Sequence, residues 1–228
     1  PHFRRKTAMA YRETMENNGM EAGRAKNQIP YCTVVLVALN VILFLIGLIL
    51  PKAGEWMESE GCFSVVYLLY EHSGFYRLIT AAFLHADVEH LLNNMLLLYC
   101  CGDVVERCLG KVRFLILYFD SAIFGNLLSA AYELSTGSFY ESIGASGAVF
   151  GLTGALLFLV IVKKGAAAGI SLKRAVFAVV LSLYAGFGSA YVNNAAHVGG
   201  LLSGFLLGFL LSIIPPVFRK KGFSHEKR

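Results

Sequence analysis

Charged residues are scarce in this 228-residue chain. Asp, Glu, Lys and Arg together make up 15% of it, against roughly 25% in an ordinary soluble domain. Hydrophobic residues make up 56%. A soluble domain of this size would need more charge to cover its surface. We therefore infer that lipid surrounds much of the chain and predict a membrane protein.

Cysteine pairs with the spacing of a metal or redox motif are also missing. The cysteines are odd in number and no two are separated by two residues, which argues against a zinc ribbon, a dithiol redox motif and a disulfide framework. We interpret them as small apolar core residues. They are Cys32, Cys62, Cys100, Cys101 and Cys108.

A basic face of the kind that binds nucleic acid is absent, although the net charge is +5. The charges stand in short clusters between apolar runs instead, as in the cytoplasmic loops of membrane proteins. We therefore predict the lipid bilayer as a partner and no nucleic acid.

Long apolar runs dominate what is present. The first, Tyr31–Leu50, has about the 20 residues that a helix needs to cross a bilayer and is closed by Pro51. We predict an all-α membrane protein with six transmembrane helices and a long first loop. The other five predicted spans are His90–Leu109, Phe114–Tyr132, Ala145–Val162, Ala175–Phe187 and Ala195–Ile214.

Lys and Arg predict the orientation of these spans. They cluster in both tails and in the turns after the second and fourth spans, whereas the connections after the third and fifth spans have none. Because cytoplasmic loops carry this excess, we expect both termini in the cytoplasm. Residues 1–29 and 216–228 are then cytoplasmic tails around a membrane domain of residues 30–215. We expect the plasma membrane, since no organelle targeting segment is evident.

This topology brings polar residues from distant segments to one depth. The second, fourth and sixth spans all begin on the outer side, so polar residues near their starts lie in the same leaflet. Those residues are His90, Asn94, Ser146 and His197. Ionisable groups inside spans are costly and are functional by default, so the convergence predicts a site.

Ser146 and His197 have the properties of a nucleophile and its base. Gly144 and Gly147 flank the serine and allow a tight turn into a helix, where free N–H groups can stabilise an oxyanion. A histidine can take the serine proton at neutral pH. Glycines on both spans, among them Gly200, would let the two helices approach closely. The alternatives are a serine used for helix packing and a buried histidine bonded to a carbonyl.

His90 and Asn94 are four residues apart and can both donate hydrogen bonds to an oxyanion. His85 and His90 are five apart, which on a helix turns them about 140° from each other, and no glutamate follows His85. We therefore predict no metal site. Since no carboxylate is well placed as a third member, we predict a Ser146–His197 dyad.

These motifs resemble those of the rhomboid intramembrane proteases, and the resemblance extends from about Pro30 to Pro215. The matching residues are His85-Ala86-Asp87-Val88-Glu89-His90 with Asn94, then Gly144-Ala145-Ser146-Gly147, then Ala196-His197 with Gly200 and Gly204. The resemblance implies that Ser146 attacks the scissile carbonyl and His197 acts as base and then acid. It also implies an oxyanion hole of Asn94, His90 and the Ser146 N–H, and Phe150 stacked on His197.

The same resemblance implies a membrane-embedded first loop, transmembrane protein substrates and no cofactor. The family's Trp-Arg pair is Tyr76-Arg77 here, which bears only on how the loop packs. The main alternative is a non-catalytic adaptor of the same fold that binds transmembrane clients. A small transporter is disfavoured because no internal repeat and no paired broken helices are evident.

Overall fold

The computed structural model describes residues 29–70, 74–162 and 192–213, with the single positions 173, 176 and 180. The described residues form eight α-helices, and 3-10 turns lie at Gly74–Tyr76 and Ala81–Phe83. The helices are α1 (Tyr31–Ile49), α2 (Pro51–Gly61), α3 (Val65–Tyr70), α4 (Arg77–Thr80), α5 (Val88–Leu109), α6 (Lys111–Thr136), α7 (Ser146–Val162) and α8 (Asn194–Ile213).

Three of these helices, α1, α6 and α8, are long and apolar enough to cross a membrane by length and composition. Helix α7 is apolar but has 17 residues, and charged side chains at both ends of α5 lower its mean hydropathy. The helices predicted in five of the six apolar runs are confirmed to within a few residues. The fifth predicted span, Ala175–Phe187, falls outside the described residues except at positions 176 and 180, so the count of six stays a prediction.

Helix α1 begins at a carboxylate supplied by α5. Glu106 accepts hydrogen bonds from the backbone N–H groups of Cys32 at 3.0 Å and Thr33 at 2.8 Å, and from the Thr33 hydroxyl at 2.8 Å. First-turn N–H groups have no acceptor within their own helix, and an anion there is also stabilised by the helix dipole. The glutamate is 4% exposed. It therefore acts as the N-terminal cap of α1.

Two other acidic residues of the apolar helices, Asp103 and Asp120, also have protein partners. Asp103 pairs with Arg107 one turn later on α5, with Nε donating at 2.8 Å. Asp120 of α6 accepts a hydrogen bond of 2.6 Å from the Ser203 hydroxyl of α8. Each bond reduces the cost of placing a charge in an apolar bundle.

Helix α7 lies at the centre of the bundle. Most of its residues are buried, and it packs against α5, α6 and α8. A helix that is apolar on all sides is stable only when neighbouring helices or lipid surround it. Because Ser146 is the first residue of this helix, the bundle fixes the position of the serine.

The first loop folds into α2, α3 and α4, and Arg77 holds it together. The Arg77 guanidinium donates to the carbonyl oxygens of Ser59 and Cys62 and lies 4.1 Å from the centre of the Tyr67 ring. Tyr76 contacts the same guanidinium at 5.4 Å. The tyrosine that replaces the family tryptophan thus still packs on the arginine. Large exposed apolar side chains of this loop are Trp56, Leu69, Tyr70 and Phe75.

Candidate active site

Ser146 begins α7 two residues after a glycine that no other residue could replace without strain. Gly144 has φ +129°, a backbone conformation that L side chains rarely adopt. A Cβ on Gly144 would lie 2.7 Å from Cε1 and Nε2 of His90 and 3.8 Å from Oγ of Ser146. The His90 ring and the Ser146 hydroxyl therefore flank the same small volume, and only glycine leaves it open.

The segment before Ser146 is tied to the first loop by backbone hydrogen bonds. Phe63 and Ser142 exchange two N–H to carbonyl bonds, of 2.9 and 2.7 Å. The Gly144 N–H donates to the carbonyl oxygen of Ala81 at 2.8 Å. Ser146 therefore follows a segment whose backbone is hydrogen-bonded to the first loop, and it begins the central helix α7.

His197 lies in the first turn of α8 and is 8% exposed. Its ring stacks on Phe150, one turn after Ser146 on α7, with centroids 4.2 Å apart and planes inclined by 12°. The stack restricts rotation of the imidazole and fixes its plane relative to the start of α7. The structure thus gives Phe150 the contact that the rhomboid resemblance implies.

Glycines bring α7 and α8 into contact backbone to backbone. A Cβ on Gly200 would overlap the carbonyl of Gly147, and a Cβ on Gly204 would overlap the carbonyl of Gly151. Glycine strips of this kind allow the close approach that other residues prevent. Because Gly147 follows Ser146 and Gly200 follows His197 by less than one turn, this contact brings the helix segments that carry the two candidate residues close together.

The Ser146 hydroxyl and the His197 ring form no direct hydrogen bond within the described part of the chain. Catalytic hydrogen bonds are often long before substrate binds and shorten in the complex. Nδ1 of His197 is buried without a partner among the described residues, so no carboxylate there orients the ring. The stacked Phe150 restricts the orientation of the ring instead.

His90 and Asn94 lie on one face of α5 at its first turns. Asp87 caps this helix by accepting the His90 N–H at 2.7 Å. The Asn94 amide donates to the His90 carbonyl at 3.0 Å, and one donor of its NH2 group is left for another acceptor. The cap and this bond place the two side chains at the end of α5 that faces Gly144.

The predicted relation between His85 and His90 is wrong. Asp87 begins α5, so His85 precedes the helix, and the helical rotation assumed from the sequence does not apply. The two rings meet edge to face instead, with centroids 5.1 Å apart. Burial, and secondarily His90, lowers the pKa of His85 from 6.5 to about 4. Within residues 29–70, 74–162 and 192–213, no group of three potential ligands could hold a metal ion.

A small cavity opens beside Ser146. Its volume of about 20 Å³ is enough for one water molecule. Two polar residues that the sequence interpretation missed, Asn126 and Asn193, line it with Ser142. Asn193 directly precedes the first residue of α8, and an Asn at that position is a recognised helix N-cap signal, so the sequence did contain a clue to it.

Comparison with known proteins gives one consistent result. A family model described as the rhomboid domain matches residues 72–214, a range that contains every candidate site residue. The rhomboid protease GluP of Bacillus subtilis (strain 168) is 30% identical over 203 residues, which cover 87% of this chain and 38% of GluP. YdcA of the same organism, also named with the rhomboid proteases, is 38% identical over 181 residues, covering 79% of this chain and 88% of YdcA.

A plant protein gives a similar match. RHOMBOID-like protein 1 of Arabidopsis thaliana is 38% identical over 165 residues, covering 70% of this chain and 40% of that protein. The chain therefore spans about two fifths of GluP and of RHOMBOID-like protein 1, and most of YdcA.

Proposed function

Because this chain belongs to the rhomboid family and is an integral membrane protein, we propose that it is an intramembrane serine protease with a Ser146–His197 dyad. One observation carries the proposal. Ser146 opens a central helix, and the His197 ring is held against that same helix by Phe150 at 4.2 Å. This arrangement supports acyl transfer, in which a histidine takes the proton of a serine hydroxyl.

The proposed reaction has two steps. Oγ of Ser146 forms a bond to the scissile carbonyl carbon as Nε2 of His197 takes the hydroxyl proton, and His197 then gives that proton to the leaving amine. Water hydrolyses the acyl-enzyme in the second step, with His197 again as base. Nε2 is assigned because Nδ1 is buried away from any partner among the described residues.

The developing oxyanion needs donors aimed at one point. The Ser146 N–H is the first of its helix and has no acceptor within α7. His90 flanks the same volume as the Ser146 hydroxyl, and Asn94 retains a free amide donor one turn later on α5. We assign these three groups to the oxyanion hole. His85 supports the His90 ring through their edge-to-face contact.

The proposed substrates are single transmembrane helices cut in the outer leaflet or just above it. A helical peptide bond is shielded by its own hydrogen bonds, so helix-weakening Gly or Pro near the cut should help. Positive residues predict that both termini are cytoplasmic. A cysteine introduced at the exposed Ser138 should therefore react with an impermeant reagent from the outer side.

Labelling with a fluorophosphonate tests the enzyme class. The purified protein should be labelled at Ser146, and Ser146→Ala and His197→Ala should abolish both labelling and cleavage of a single-span substrate in liposomes. Folded protein that takes no label and cleaves no substrate in a panel would point to the non-catalytic adaptor. Cleavage that persists in Ser146→Ala would exclude the dyad.

A further inference from the structure

One asparagine side chain joins the segment of Ser146 to the segment of His197. Asn193 donates two hydrogen bonds through Nδ2, one to the Ser142 hydroxyl at 2.8 Å and one to the Ser129 hydroxyl at 2.7 Å. Its Oδ1 accepts the Ala196 N–H at 3.0 Å. Both amide donors are therefore used, and the oxygen caps a helix.

Two of these bonds end on segments that carry a candidate catalytic residue. Ser142 lies four residues before Ser146 and is also paired with Phe63 of the first loop. Ala196 immediately precedes His197, and the His197 N–H donates to the Asn193 carbonyl oxygen at 3.2 Å. Side chain and backbone of this one residue thus hold the start of α8 and the segment leading to the serine.

The third bond anchors this link to the bundle. Ser129 of α6 is fully buried and donates its own proton to Oε1 of Glu133 at 3.0 Å. Its oxygen is then free to accept from Asn193. The serine therefore requires a donor at position 193, which an amide provides and a carboxylate does not.

We propose that Asn193 is a positioning residue of the active site, which sets the distance and angle between Ser146 and His197 without touching the reacting atoms. This inference rests on the proposed protease function. Its physical basis is that one rigid amide spans the two segments, whereas the glycine contacts between α7 and α8 fix only their helix axes. Misplacement of reacting groups by about 1 Å can cost about 10²-fold in rate.

Three variants separate the bonds of Asn193. Asn193→Ala removes all its side-chain bonds. Asn193→Asp keeps the cap on Ala196 and can still accept a bond from the Ser142 hydroxyl, but it loses the bond to Ser129. Ser142→Ala removes only the link to the serine segment. Two matched controls are Asn93→Ala at an exposed position of α5 and Ser135→Ala, whose hydroxyl bonds only to the Tyr132 carbonyl in its own helix.

The measurement is the rate of fluorophosphonate labelling at Ser146, with kcat and KM for a single-span substrate and the thermal unfolding midpoint. We expect Asn193→Ala to lower the labelling rate and kcat about 10–100-fold, with KM unchanged. Asn193→Asp should recover only part of the rate, because the bond to Ser129 is lost, and both controls should match the wild type. If Asn193→Ala does not fold, Ser142→Ala provides the same test, with an expected loss of about 10-fold.

The outcomes separate the two proposals. A folded wild type that is not labelled at Ser146 would overturn the protease function itself. Labelling of the wild type and of Asn193→Ala at equal rates would overturn only the role of Asn193. A rise in KM at unchanged kcat would also overturn it, because it would make Asn193 a substrate contact.

Discussion

Helix α5 has a buried polar cluster at each end, and the two clusters differ in how completely their hydrogen bonds are satisfied. At its C-terminal end, Glu106 accepts three bonds from the first turn of α1. At its N-terminal end, both ring nitrogens of His85 and Nδ1 of His197 are buried without a partner in the described ranges.

This difference separates a structural site from a functional one. A buried polar group without a partner costs roughly 1–3 kcal/mol, so native proteins keep few of them. The satisfied cluster stabilises the attachment of α1. Under the proposed protease function, substrate and water would supply the missing partners of the unsatisfied cluster, and we expect its residues to affect rate more than stability.

The largest effect should come from closing the volume between His90 and Ser146. Gly144→Ala would place a methyl group 2.7 Å from the His90 ring and displace a proposed oxyanion donor. We expect kcat to fall about 10³-fold. The control is Gly137→Ala, which also has a positive φ, of 68°, but has nothing within 4 Å. It should lower stability by about 1 kcal/mol and leave kcat intact.

Equal losses of kcat in the two glycine variants would mean that backbone strain, rather than contact with His90, explains the effect.

Asn94→Ala should lower kcat by about 10²-fold, or ~2.7 kcal/mol in the activation free energy, because an oxyanion donor acts mainly in the transition state. The thermal unfolding midpoint should stay near that of the wild type. Asn93→Ala, one residue earlier and exposed, is the matched control and should be fully active. A folded Asn94→Ala protein with unchanged kcat would remove Asn94 from the site.

Glu106→Ala should lower the stability of the protein rather than its reaction rate. It leaves two first-turn N–H groups of α1 and the Thr33 hydroxyl without their acceptor, at an expected cost of about 2 kcal/mol in the free energy of unfolding. The activity of the folded fraction should stay close to that of the wild type. Asp103→Ala removes a partly exposed ion pair on the same helix and should cost less than about 1 kcal/mol.

A strong loss of activity in folded Glu106→Ala would show that the two ends of α5 are coupled.

The smallest effect concerns pH. Burial lowers the pKa of His85 to about 4, so the folded protein keeps this ring neutral at pH values where the unfolded chain, with a pKa near 6.5, is protonated. The contribution of His85 to stability is therefore complete above about pH 6.5 and is lost as pH falls toward 4. His85→Gln should flatten the pH dependence of the unfolding midpoint in this window. An unchanged slope would contradict the assignment.

The helices could be predicted from sequence because a helix in lipid requires a long apolar run, and such runs are directly visible in the sequence. The helix in the run Phe114–Tyr132 extends to Lys111–Thr136 in the structure, since polar ends contribute to a helix without adding to its hydrophobic signal. His85 was placed wrongly because an N-cap at Asp87 starts α5 after it. The helix start at Asp87 therefore determines how the rings of His85 and His90 lie relative to each other.

The hydrogen bonds that connect distant segments around the site could not be predicted from residue spacing in the sequence. Asn193 bonds to Ser129 and Ser142, which lie 64 and 51 residues earlier in the chain, and Glu106 caps a helix that begins more than 70 residues before it. Such partners become neighbours only through the packing of the bundle. The candidate nucleophile and base were predictable because each stands beside glycines in a recognisable local motif.

The contact between α7 and α8 limits which substitutions the protein can accept near the site. Main-chain atoms are identical in every variant, so the spacing at Gly147–Gly200 and Gly151–Gly204 cannot be adjusted by exchanging one side chain for another. In a saturation library these four positions should tolerate almost nothing, while lipid-facing neighbours such as Leu202 and Leu206, both well exposed, should accept many apolar residues. Substitutions on the outer surface of these helices should therefore leave the geometry of the site unchanged.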